Sequence, residues 1–133
     1  MGKGKRIEIY NKYQGRCAYC GQKITYEQMQ KDHIHPRFKE HWLKSEKMKK
    51  INGTPLEIND IDDINNFNPA CKRCNYIKAT YSIEKFREII ANKIKTINNN
   101  SAYKMIKDYG LIIETKAPVV FYFEKYFLIG RIK

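Results

Sequence analysis

Two Cys-x-x-Cys pairs, Cys17/Cys20 and Cys71/Cys74, stand fifty residues apart and constrain the fold of this chain more than any other feature. Zinc takes four tetrahedral ligands, with thiolate sulfur at about 2.3 Å, and one C-x-x-C turn presents two sulfurs from a single short loop. Two such turns complete the shell and leave no open position, so the expected ion is structural rather than catalytic. Gly21, directly after the first pair, tolerates the backbone that a metal knuckle needs. The competing reading is four unligated thiols or two redox pairs of the thioredoxin kind. The flanking sequence lacks the strand-and-helix alternation that a redox fold of that kind requires. One ion bridging the early and middle segments would couple folding to metal binding.

The staple matters because little else is available. The chain has 133 residues, 42% of them hydrophobic on a count that includes ten tyrosines, and 30% charged. That is room for one compact domain with a short appendage and a modest core. Twenty-six Lys and Arg against fourteen Asp and Glu give a net charge of +12. Four thiolates and a zinc ion add a net charge of about −2, so the loaded chain stays strongly cationic. Such a field speeds encounter with polyanions and favours release of their counterions. Nucleic acid is the leading partner; an anionic membrane surface or plain solubility is the alternative. No stretch has the apolar run of a secretion signal or a membrane span, and Arg6 stands where a myristoylation signal at Gly2 wants Ser or Thr. The expectation is a cytoplasmic protein without membrane attachment, where four cysteines hold metal rather than disulfides.

Along the chain, Ile7, Tyr10 and Tyr13 share one face of a short helix that Gly15 would end. Residues 29–34 read as a short strand closed by Pro36. Residues 41–50 read as a basic helix, and Asn52-Gly53 is a turn signal, within an insertion over about 37–65. The strongest helix runs from an N-cap at Ser82 to about Ile97, with Ile83, Phe86, Ile89, Ile90, Ile94 and Ile97 on one face. Asn98-Asn-Asn-Ser101 breaks it. A short helix near 101–109 and a strand near 119–124 follow, and the strand's apolar, aromatic character predicts docking or pairing. The organisation expected is a core over 1–98 and a helix-strand appendage over 99–133 docked on it.

Between and around the cysteine pairs lie Asp32-His33-Ile34-His35-Pro36 and Asn65-Asn66-Phe67-Asn68-Pro69-Ala70-Cys71-Lys72-Arg73-Cys74-Asn75-Tyr76-Ile77-Lys78. In order, C-x-x-C, D-H-I-x-P and N-x-x-P-x-C-x-x-C-N-x-x-K, this arrangement closely resembles the zinc-bearing HNH endonucleases over roughly residues 5–97. The resemblance implies an α+β chain with a ββα-metal, treble-clef-like core, a structural four-cysteine zinc site and flanking helices. It implies a metal-dependent endonuclease that hydrolyses phosphodiester bonds in double-stranded DNA and leaves a 5′ phosphate. By the same resemblance His33 is the general base, and Asn66 holds the loop between the strands and orients it. Asp32 and Asn75 hold one catalytic divalent ion, while Lys78 and Arg37 neutralise phosphate. An imidazole accepts protons near neutral pH, and a metal polarises the phosphate and stabilises the leaving oxygen. The family's second histidine position is Asn75 here, and the position four residues on is Ala79. An oxygen-only site favours Mg²⁺ or Mn²⁺ over zinc or nickel.

Other candidates have plainer readings. His35 shares a strand face with His33 and is either a phosphate contact or exposed; His41 is a surface residue. Asp60, Asp62 and Asp63 lack calcium-loop spacing and read as caps or local charge balance. The lysines of 39–50 are a solvated face or a DNA clamp. Tyr10, Tyr13, Tyr19, Tyr26, Tyr76 and Tyr81 read as packing residues rather than base-stacking platforms. Two other functions stay open: a zinc-dependent DNA-binding module without catalysis, and a subunit of a phage packaging or mobile-element complex. Val119–Phe123 would serve either a homodimer edge or the chain's own sheet.

Overall fold

The structure, a computed structural model, describes residues 3–35, 48–51, 54–57 and 62–126. Helix α1 (Lys3–Asn11) leads into a tight turn in which Gln14 and Gly15 both take positive φ. Its buried side chains are Ile9 and, just past its end, Tyr13, whereas Ile7 is exposed. The inward face is thus rotated from the expected one, with Tyr10 only half-buried and its hydroxyl donating to the Ile24 carbonyl at 2.8 Å.

Strands β1 (Gln30–His33) and β4 (Phe67–Ala70) pair antiparallel, with Asp32 opposite Asn68 and His33 opposite Phe67. All four residues of β4 are buried. Between them β2 (Met48–Ile51) and β3 (Thr54–Glu57) form a separate antiparallel pair. Residues 48–50 are therefore strand, not the end of a basic helix; residues 41–47 of that expected helix lie outside the described residues. The expected turn at Asn52-Gly53 also lies outside the described residues.

Helix α2 (Lys72–Lys78) starts directly from β4, with the Cys71 sulfur accepting the Cys74 N–H at 3.4 Å in place of an ordinary cap. Helix α3 (Ile83–Ala91) is capped by Ser82, as its sequence predicts, the hydroxyl accepting from Lys85 N–H at 3.1 Å. It does not continue to Ile97. Asn92 stands between α3 and a separate α4 (Lys93–Ile97), and Ile94 and Ile97 are exposed. Asparagine competes for backbone hydrogen bonds and holds a helix interior weakly. Of the expected apolar face, only Ile83 and Phe86 are fully buried. Helix α5 (Ser101–Asp108) is capped by Asn100 and ends before Gly110 at positive φ.

The end of the described chain departs from the expected strand. Residues 122–126 are helical, and no strand pairs with 119–121 among the described residues. The segment spends its hydrogen bonds on the first knuckle instead: Tyr122 and Phe123 donate to the Tyr19 and Ala18 carbonyls at 2.9 and 2.8 Å. Glu124 accepts the Phe121 N–H at 2.8 Å, capping the new turn, and Arg87 holds the Val119 carbonyl at 2.6 Å. Phe121 and Phe123 are buried with Tyr19 and Phe86, ring centroids 5.2–6.1 Å apart. Gly21 is required here twice over, since φ is +81° and a Cβ would lie 2.9 Å from the Tyr122 ring.

Two outcomes test this packing. Phe121→Ala in the zinc-loaded protein lowers unfolding free energy by about 3–5 kcal/mol in denaturant titration; a loss below about 1 kcal/mol would mean the segment is not docked. Lys12 caps the Phe67 carbonyl at 2.9 Å, and burial lowers its pKa to about 8 from 10.5. The unfolded chain then binds more protons above pH 8, so this lysine's contribution to stability rises with pH through that window. The stability difference between wild type and Lys12→Met should shift in favour of wild type from pH 8 to 10, and a flat difference would contradict it.

Candidate metal centre and histidine site

The first knuckle is built by backbone. Cys17 N–H donates to the Gln22 carbonyl at 2.9 Å, Gly21 N–H returns to Cys17 at 3.0 Å, and an isolated bridge joins Arg16 to Lys23. The second is the β4–α2 junction. Ala18 N–H donates to the Pro69 carbonyl at 2.8 Å and brings the two together. The sulfurs of Cys17, Cys20, Cys71 and Cys74 all lie within 4.8 Å of one another, and Cys20 and Cys71 are 3.8 Å apart. A regular tetrahedron of sulfurs around zinc has edges of about 3.8 Å. Four close thiols of this kind can hold a metal ion such as zinc, and the donor set fits.

The electrostatics agree. A hydrogen bond from Cys74 lowers the Cys17 thiol to about 4, with further help from backbone N–H groups, while the same interaction pushes Cys74 up. Burial raises Cys20. Without a cation, one thiolate is thus held by its neighbour's proton; an ion would replace that proton. Tyr19 N–H donates to Cys17 Sγ at 3.4 Å, the kind of contact that stabilises sulfur charge.

His33 ends β1 with its side chain 20% exposed, Nε2 lying 2.9 Å from Asp62 Oδ1. Its ring packs on Phe67 at 4.5 Å. Asn66 is fully buried and grips the next residues at three points. Its side chain accepts from His35 N–H at 2.9 Å and donates to the His35 carbonyl at 3.2 Å, and its carbonyl accepts from Ile34 N–H at 2.7 Å. Asp62, read from sequence as a cap or local charge balance, is the histidine's partner; the cap is Asp63, which accepts from Asn65 N–H at 2.9 Å. The partner lies twenty-nine residues away in sequence, where no spacing rule reaches.

Asp32 and Lys78 are placed differently from the expectation. Successive residues on a strand point to opposite faces, so Asp32 turns inward as His33 turns out. Lys78 is 0% exposed and Asp32 3% exposed. The ammonium lies 3.1 and 3.3 Å from the two carboxylate oxygens and donates to the His33 carbonyl at 2.8 Å. The Tyr19 hydroxyl also donates to Asp32. Burial raises the Asp32 pKa and lowers that of Lys78, with their mutual attraction opposing both changes. Lys78 therefore does not face a phosphate, and both oxygens of Asp32 are engaged. Asn75 is half-buried on α2, one turn before Lys78. Arg37, His41 and Asp60 lie outside the described residues. Tyr76 is 83% exposed and Tyr81 is exposed, so neither packs as the sequence suggests.

Among the described residues no helix is long and apolar enough to cross a membrane. Comparison with protein-family models, with curated proteins and with solved structures finds no match.

The metal centre makes a direct prediction. Zinc-loaded protein contains a single zinc ion per chain by elemental analysis, and Cys71→Ser loses both the ion and the cooperative unfolding transition. A Cys71→Ser chain that unfolds like wild type would show that the cysteines do not staple the fold.

Proposed function

We propose that this chain is a nuclease that hydrolyses phosphodiester bonds in DNA, built on the ββα-metal arrangement of the HNH endonucleases. The observation that carries the reading is the His33–Asp62 pair: a half-buried imidazole at the end of β1, oriented by a carboxylate at 2.9 Å, beside a backbone pinned by Asn66. With the carboxylate accepting from Nε2–H, the lone pair lies on Nδ1, which is the nitrogen left to take a proton from water. Asp62 then stabilises the imidazolium. The antiparallel pair β1–β4 followed at once by α2 is compatible with a ββα order, and the four cysteines could hold a structural zinc ion. The net charge of +12 suits a polyanionic substrate.

A catalytic Mg²⁺ or Mn²⁺ belongs to the HNH reading, with Asp32 and Asn75 as its holders. The arrangement of Asp32 does not fit that role, because Tyr19 and Lys78 occupy its two oxygens. The chain's own residues activate water and hold the histidine. The same closed carboxylate favours one other reading, a zinc-dependent DNA-binding module without catalysis.

Supercoiled plasmid separates the two. Wild type converts it to open circles whether or not Mg²⁺ or Mn²⁺ is added, and His33→Ala slows this by about 10²–10⁴-fold while binding plasmid as tightly. Asp62→Asn slows it less. Plasmid that is bound yet intact in both metals would reject the nuclease and favour the binding module.

A further inference from the structure

The buried polar cluster behind His33 is larger than a pair. Tyr19 sits inside the first cysteine knuckle, its N–H on Cys17 Sγ at 3.4 Å and its ring among Phe86, Phe121 and Phe123. Its hydroxyl reaches Asp32, Asp32 holds Lys78 Nζ at 3.1 Å, and the same Nζ holds the His33 carbonyl at 2.8 Å. Asn68, opposite Asp32 on β4, donates to the Tyr19 hydroxyl at 3.4 Å. A path of hydrogen bonds, joined through the covalent frame of Tyr19, thus runs from the Cys17 sulfur to the backbone of the candidate base.

We infer that Tyr19 and Lys78 are positioning residues, which carry the order of the zinc knuckle through Asp32 into the strand end that bears His33. The role in cleavage rests on the nuclease reading; the effect on the strand end does not. Placing an ammonium and a carboxylate out of water is costly, and such a pair often adds little stability compared with apolar side chains. What it fixes is direction. Lys78 has donors for the carboxylate and the carbonyl at once, so Asp32, α2 and the end of β1 hold one relative position. Tyr19 sets where Asp32 stands, because its ring is locked by three aromatic neighbours and its backbone by the knuckle. Neither side chain is placed to meet substrate, since both are buried. Loss of zinc would then disturb His33 without any contact between ion and histidine.

Tyr19→Phe removes one hydroxyl and leaves the packed ring. In zinc-loaded protein, amide exchange at Ile34 and His35, whose N–H groups bond to Asn66, is expected to quicken at least about tenfold, with zinc content unchanged. In the cleavage assay kcat falls by about tenfold or more with KM unchanged, the pattern for lost positioning rather than lost binding. Lys78→Met, which keeps the stem, shifts both readouts in the same direction; should it fail to fold, Tyr19→Phe carries the test by itself. A folded Tyr19→Phe protein with wild-type exchange at Ile34 and His35 would overturn the inference, whatever the activity. A wild type that never cuts plasmid would sink the nuclease reading alone, because the exchange arm still decides the positioning role.

Discussion

Four sulfurs within 4.8 Å of one another lie where the early, middle and late segments of the described chain come together. The second knuckle is also the junction of β4 and α2, so binding an ion there would fix where the strand ends and where the helix starts. The first knuckle is a backbone hub. Ala18 gives its N–H to Pro69, and Ala18 and Tyr19 give their carbonyls to Phe123 and Tyr122. Early, middle and late segments therefore meet at residues 17–20. A chain with 30% charged residues has limited apolar area for holding such distant segments together. A metal that binds only the folded arrangement would supply the difference, its affinity becoming folding free energy.

The alternation of β1 divides the chemistry into two faces. Outward, His33 meets Asp62 and solvent; inward, Asp32 meets Lys78 and Tyr19. The buried charges are paired and hydrogen-bonded, which is the condition for carrying them in a small core. They also decide what Asp32 can do. A carboxylate whose oxygens are held by a lysine and a tyrosine organises neighbouring backbone, and it offers a cation little. The proposed activity accordingly leans on the outward face, where the histidine and its carboxylate are reachable.

The legible parts of the fold were those with local causes. Two C-x-x-C spacings point to a four-sulfur cluster, Ser82 caps its helix, Gly15 follows the end of α1, and residues 29–34 contain β1. Isoleucines at 94 and 97 keep helical spacing, yet they belong to a separate short helix and are exposed. Elsewhere a distant partner overrides a local pattern. Residues 119–124 read as strand, but the carbonyls of the first knuckle and the carboxylate of Glu124 take up N–H groups of 121–123, and 122–126 is a helical turn. Lys78 follows Asn75 by one turn, which says that they share a helix side but not that this side is buried against Asp32. The His33–Asp62 pair joins positions that only the folded chain brings together. Within the candidate site, sequence thus indicated the residue types better than their directions.

If the four-sulfur centre staples the fold, X-ray absorption at the zinc edge of protein purified with zinc shows a single shell of four sulfurs at about 2.3 Å with no nitrogen or oxygen ligand. A mixed shell containing histidine nitrogen, or one that persists when Cys17 and Cys74 are replaced by serine, would contradict it.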